Sequence, residues 1–200
     1  MQSSTELTIR SGKHVPVEEG FWLAIFFELI AFSALFVAFL VGRFESDTSY
    51  QDFATSAQSL NQGIGLANVF ILMTSSLLVA RAVVLFRARE TVRAHNQLLS
   101  GMFLGCAFIA LKCFEYYEKL ESGITATSNE FYNFYFIITG IHLLHVVIGL
   151  LLLNFVFWKY EKKQEDSISF TWVEIAGCYW HMVDFLWFII FALLYLIASP

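Results

Sequence analysis

The sequence predicts an all-α fold, an integral membrane bundle of five transmembrane helices, on three observations. Hydrophobic residues make up 58% of the 200 residues and charged residues only 14%, with a mean hydropathy of +0.63, which is not the balance of a soluble domain. Five apolar runs are each long enough to cross a bilayer core, for which about 20 helical residues are needed. There are only 2 prolines, and neither interrupts an apolar run.

Residues 1–19 are polar, mixed in charge and without hydrophobic period, and read as a cytoplasmic N-terminal tail. Residues 20–200 read as a single membrane domain. Its first run, Phe21 to Val41, is too long for a signal-peptide core and lacks a small-residue cleavage site, so it is kept as helix 1. From Gly42 to Gly63 the chain turns polar, with Glu45, Asp47 and Asp52, and predicts an exposed loop. The remaining helices are expected over about 64–86, 98–117, 132–158 and 172–198, with ends uncertain by a few residues. Gly101-x-x-x-Gly105 in helix 3 predicts close helix approach. No internal repeat and no pair of broken helices is visible, which argues against a secondary transporter.

Charge excludes further classes and sets an orientation. The formal net charge is −5, with no basic patch for nucleic acid. Lys and Arg concentrate in the tail (Arg10, Lys13), in the loop between helices 2 and 3 (Arg87, Arg89, Arg93) and in the loop between helices 4 and 5 (Lys159, Lys162, Lys163), against Arg43 and Lys119 on the other side. That asymmetry predicts a cytoplasmic N-terminus and an outer C-terminus. Cys106, Cys113 and Cys178 fall within apolar runs at spacings that match no zinc motif; they are expected to be small buried hydrophobes.

The informative residues are the ionisable groups inside the apolar runs, each costing roughly 2.5–3.5 kcal/mol at a helix centre on insertion scales. Helix 5 carries His181 and Asp184, three apart and therefore on one face; helix 4 carries His142 and His145 in the same relation; helix 1 carries Glu28. At 1.5 Å rise per residue, Glu28 and His181 lie roughly 12 Å from the cytoplasmic end, Asp184 roughly 16 Å and His145 roughly 20 Å, while His142, Lys112 and Glu115 lie at roughly 21–26 Å. The levels suggest pairing of Asp184 with His145 and of Glu28 with His181, and an ion pair between Lys112 and Glu115 near the outer interface. A di-metal carboxylate site would want paired Glu-x-x-His helices. The pairs here are His-x-x-His and His-x-x-Asp, so no catalytic or metal-ligating set is assigned. Structural or assembly roles are favoured over a redox centre. Two rivals use the same groups: a membrane metalloenzyme with Glu28, His142, His145, His181 and Asp184 as ligands, and a small proton or solute carrier.

Two stretches carry a resemblance. Tyr179-Trp180-His181-Met182-Val183-Asp184-Phe185-Leu186-Trp187 and Thr139-Gly140-Ile141-His142-Leu143-Leu144-His145-Val146-Val147-Ile148-Gly149 resemble the two strong motifs of subunit III of haem–copper oxidases, in the family's order. Glu28 and Glu115-Tyr116 fall where that family carries acidic residues. The mitochondrial-type subunit has seven helices, and its first two have no counterpart here; five-helix versions occur in quinol oxidases and in the NorE-type proteins associated with bacterial nitric oxide reductase. The Trp-His-Met-Val-Asp wording and the Leu77-Leu78-Val79-Ala80 region look most similar to the NorE type. The resemblance implies a non-catalytic accessory subunit of the bacterial inner membrane, without a cofactor of its own. It implies association with a haem-bearing catalytic membrane subunit, whose stability or turnover the chain supports, and with phospholipid. The alternative within the family is subunit III of a cytochrome c or quinol oxidase.

Overall fold

The computed structural model describes residues 19–161 and 170–197; the expected N-terminal tail lies almost wholly outside them. Six α-helices follow one another: α1 (Glu19–Phe44), α2 (Asp47–Gln58), α3 (Gln62–Arg87), α4 (Thr91–Glu121), α5 (Glu130–Glu161) and α6 (Thr171–Phe191), the last running into a π-helical turn, Ala192–Ile197. All but α2 are long and apolar enough to cross a membrane, and a helix is one of the two backbone forms that satisfy every peptide group in hydrocarbon.

The segment expected to be an exposed loop between Gly42 and Gly63 instead contains α2. Its start is capped by Ser46 Oγ, which accepts from the Ser49 N–H at 3.1 Å, with Asp47 in the first turn where the helix dipole favours an acid. One side turns inward: Phe53, Ala54 and Ala57 are buried, and Phe53 packs its ring against Phe39 of α1 and Phe131 of α5. This polar helix therefore lies across the ends of α1 and α5 without crossing the membrane.

Helices α3 and α4 end in the same way. Gly123 (φ +74°) ends α4, with its N–H on the Leu120 carbonyl and the Ile124 N–H on the Lys119 carbonyl, the pair of bonds that a left-handed residue after a helix permits. Arg89 (φ +60°) repeats the pattern after α3, bonding to Phe86 while Glu90 bonds to Leu85. A side chain there costs roughly 1–2 kcal/mol relative to glycine.

The centre of the bundle is α6, held between α3 and α5. The α3–α6 register is fixed along its length by Arg87–Glu174 at 2.7 Å, Trp180 Nε1 donating to Ser75 Oγ at 3.1 Å, and Gln62 Nε2 donating to the Tyr195 carbonyl at 3.1 Å. Ser75 in turn donates to the Gly101 carbonyl of α4 at 2.7 Å. The buried Trp180 indole fills the space where two glycines would carry side chains: a Cβ on Gly105 of α4 would stand 2.7 Å from its Cη2, and one on Gly149 of α5 would stand 2.8 Å from its Cε3. The Gly101-x-x-x-Gly105 stretch does allow close approach, one glycine to α3 and the other to this ring. Outward faces are apolar, with Phe26, Phe27, Phe70 and Phe103 exposed. None of the three cysteines is buried as expected: Cys106 and Cys113 lie exposed on α4 and Cys178 is half-buried on α6.

Candidate functional site

The intramembrane polar residues sort into four environments. Nearest the α3–α4 connection, His181 Nδ1 and Ser76 Oγ of α3 are 2.5 Å apart. Asp184 lies near the same Ser76 hydroxyl. His181 itself points outward from the bundle.

A second pair joins α1 to α5. Glu28 Oε2 lies 3.0 Å from His145 Nε2, and His145 Nδ1 lies 2.8 Å from the Ile141 carbonyl one turn back on its own helix. The Phe32 ring packs edge-on against the imidazole with centroids 5.3 Å apart. The partners expected from depth alone are not the ones observed: Glu28 joins His145 and not His181, His181 is held by Ser76, and no bond links Asp184 to His145 among the described residues.

His142, one turn away on α5, is fully buried. Its ring stacks on Trp187 with centroids 5.2 Å apart and planes 29° apart, and meets the edge of Phe108. Neither ring nitrogen has a hydrogen-bond partner among the described residues.

The fourth environment is a closed network around Lys112 and Glu115 of α4, both fully buried. Lys112 Nζ donates to Glu115 Oε2 at 3.0 Å, Tyr135 Oη at 3.1 Å and Tyr195 Oη at 2.9 Å. An ammonium has three protons, and all three are used. Tyr135 and Tyr195 in turn both donate to Glu115 Oε1, at 2.9 and 2.6 Å. Nζ also stands over the rings of Tyr135 and Trp187 at 4.7 and 5.1 Å, within the range of cation–π attraction. Tyr195 belongs to the π-helical turn, and π turns often mark such special placements.

The expected site residues are therefore brought together in parts: Lys112 with Glu115, and Glu28 with His145, but not Glu28, His142, His145, His181 and Asp184 as one group. Among the described residues no three or more His, Cys, Asp or Glu side chains converge on a point that could hold a metal ion. Sequence reasoning missed Ser76, Tyr135 and Tyr195. The available signal was stoichiometric, because a buried Lys–Glu pair leaves two ammonium protons and further carboxylate lone pairs to be satisfied.

Comparison with known proteins adds the family context. The chain matches the family described as Cytochrome c oxidase subunit III over residues 4–199. It is similar to cytochrome c oxidase subunit 3 of Synechocystis sp., 31% identical over 179 residues, covering 89% of this chain and 74% of the relative. It is also similar to cytochrome bo(3) ubiquinol oxidase subunit 3 of Buchnera aphidicola, 23% identical over 199 residues, covering 97% and 95%. A third relative, named heme-copper oxidase subunit I+III, from Aeropyrum pernix, is 26% identical over 184 residues; the alignment takes in 90% of this chain but spans only 23% of that longer protein.

Proposed function

Because the chain belongs to the cytochrome c oxidase subunit III family, a family of non-catalytic accessory subunits, we propose that it packs against the haem-bearing catalytic subunit of a haem–copper-type respiratory complex and supports its stability or turnover. The observation that carries this reading is the use to which the buried polar groups are put. Lys112, Glu115, Tyr135 and Tyr195 satisfy one another, and Glu28 and His145 do likewise. Such pairs fix α1, α4, α5 and the end of α6 against each other.

A docking face follows from the remaining groups. An ionisable side chain facing lipid costs roughly 2.5–3.5 kcal/mol near the membrane centre, so the outward His181 and half-buried Asp184 mark the face that we assign to the partner. The Aeropyrum relative, whose name joins subunits I and III in one chain, supports adjacency of the two. The finer reading is the NorE type, with nitric oxide reductase as the complex, supported by the Trp180–Asp184 wording and the Leu77–Ala80 region. Subunit III of a cytochrome c or quinol oxidase is the second reading, favoured by the names of the relatives. Phospholipid association and a bacterial inner-membrane location, with the N-terminus cytoplasmic, belong to the same proposal.

The test is purification of this chain in mild detergent through a terminal tag. A larger haem protein should co-purify, the Soret band should leave when that protein is stripped away, and the intact complex should consume nitric oxide in preference to oxygen. Oxygen consumption alone would select the second reading. Haem retained by this chain alone, or no haem protein bound, would overturn the accessory reading.

A further inference from the structure

Beyond the accessory role, we propose that the middle of the bundle holds an internal water site lined by Asn68 of α3, His142 of α5 and Trp187 of α6. All three side chains are fully buried. Asn68 Nδ2 and Oδ1, both ring nitrogens of His142 and the Trp187 Nε1 have no hydrogen-bond partner among the described residues.

The α3–α6 register brings two of these side chains level. Trp180 Nε1 donates to Ser75 Oγ at 3.1 Å. Seven residues along each antiparallel helix lead from Ser75 to Asn68 and from Trp180 to Trp187. Seven residues are about two turns, so each side chain returns to the same face. The register holds beyond them, where Gln62 Nε2 donates to the Tyr195 carbonyl at 3.1 Å. Asn68 therefore stands to Trp187 as Ser75 stands to Trp180, yet the Trp187 N–H is not on the amide. His142 reaches the same level from α5, its ring stacked on Trp187 with centroids 5.2 Å apart. Phe108 of α4 closes the layer, its ring 4.9 Å from that of Trp187 and 5.7 Å from that of His142.

The nearest polar groups do not fill the need. The Lys112 ammonium stands 5.1 Å over the Trp187 ring, but its three protons go to Glu115, Tyr135 and Tyr195. The stacked rings cannot serve each other, because N–H bonds and nitrogen lone pairs lie in the ring planes, here 29° apart. An indole only donates, an amide does both, and a neutral imidazole offers one donor and one acceptor. A lining that mixes donors with acceptors suits a molecule that does both. Buried waters typically make about three hydrogen bonds to groups of this kind. A water that accepts from Trp187 Nε1 and donates to Asn68 Oδ1 and to His142 meets that number.

Hydroxyl-radical footprinting of the full chain in detergent tests the site, because radicals made by radiolysis arise from water in place and mark the side chains beside it. Trp180 and Trp187 lie on one helix at 1% and 0% exposure, and only Trp187 borders the site. Trp187 should be oxidised several times faster than Trp180. Asn68→Leu, which keeps the bulk of the side chain and removes both amide groups, should bring Trp187 down towards the Trp180 rate. Asn68→Ser, which leaves room and a hydroxyl, should keep it high. Equal rates at the two tryptophans in the wild type would overturn the proposal, as would a Trp187 rate that Asn68→Leu leaves unchanged. Should Asn68→Leu fail to fold, the wild-type comparison decides by itself. No partner subunit enters either measurement, so its failure is independent of the accessory reading.

Discussion

His145 faces two acceptors at once: its Nε2 is 3.0 Å from the Glu28 carboxylate and its Nδ1 is 2.8 Å from the Ile141 carbonyl oxygen. A carbonyl oxygen only accepts, so Nδ1 carries a hydrogen. Nε2 then either donates to an ionised Glu28 or accepts from a protonated one. Both states hold the same number of protons and the same zero net charge, which is how α1 and α5 can join through two ionisable groups inside a membrane without an isolated charge.

The first prediction follows from that count. Glu28→Gln keeps a donor opposite a neutral Nε2 and should change the thermal midpoint of the detergent-solubilised chain little. His145→Ala leaves Glu28 alone between α1 and α5, and loss of a partner by a partly buried group costs about 1–3 kcal/mol. A His145→Ala protein that melts with the wild type would remove this pair from the forces that hold α1 in place.

The second prediction concerns the Trp180 wedge. A Cβ at Gly105 would lie 2.7 Å from the indole Cη2, too close for either to remain in place, and overpacking of this kind costs about 1–3 kcal/mol. Trp180→Phe removes the outer part of the ring that Gly105→Ala would strike. Gly105→Ala should therefore be less damaging in the Trp180→Phe background than in the wild type, measured as a double-mutant cycle on thermal unfolding. Additive effects would mean that the helices adjust by another route.

How far the fold could be read depends on which forces announce themselves in a sequence. The five spans were legible because hydrocarbon demands long apolar helices, and the described residues form five of them. Helix α2 was not, because it is mostly polar and turns inward only through Phe53, Ala54 and Ala57; the capping Ser46 before Asp47 was the overlooked cue. Rise per residue gave each polar group a depth but not the rotation of its helix. That is why Glu28 was matched to His181 when its helix turns it towards His145. Lys112 and Glu115, three apart on one helix, needed no rotation to be paired. Tyr195 was beyond reach, since its place at Glu115 depends on a π-helical turn, which changes the rotation by which an α-helix would aim it.

The third prediction is topological. The α3–α4 connection carries Arg87, Arg89 and Arg93, whereas Lys119 stands near the α4–α5 connection, and such bias sets orientation. A reporter fused after Pro200 should be active on the outer face and one after Lys163 on the cytoplasmic face. The reverse pattern would overturn the helix count or the orientation.

The last prediction concerns the Lys112 network, where the sign of coupling distinguishes a closed charge pair from ordinary packing. Lys112→Met removes the cation but leaves Glu115 buried with Tyr135 and Tyr195 as donors, and breaking a buried pair from one side costs about 3–5 kcal/mol. Glu115→Gln retains an acceptor for the two tyrosines but leaves the Lys112 ammonium without an anion, and should cost a similar amount. With both changes no charge remains: the Gln oxygen still accepts from a tyrosine hydroxyl, and the Met side chain occupies the space of the Lys stem. Replacing a buried ion pair as a unit is often neutral or better. The double variant should therefore be more stable than either single variant, not less. Thermal unfolding of the four proteins in one detergent measures this. A double variant that melts below both singles would show that the pair contributes through packing and individual hydrogen bonds. The case for Lys112 and Glu115 as a mutually dependent lock on α4, α5 and the end of α6 would then fail.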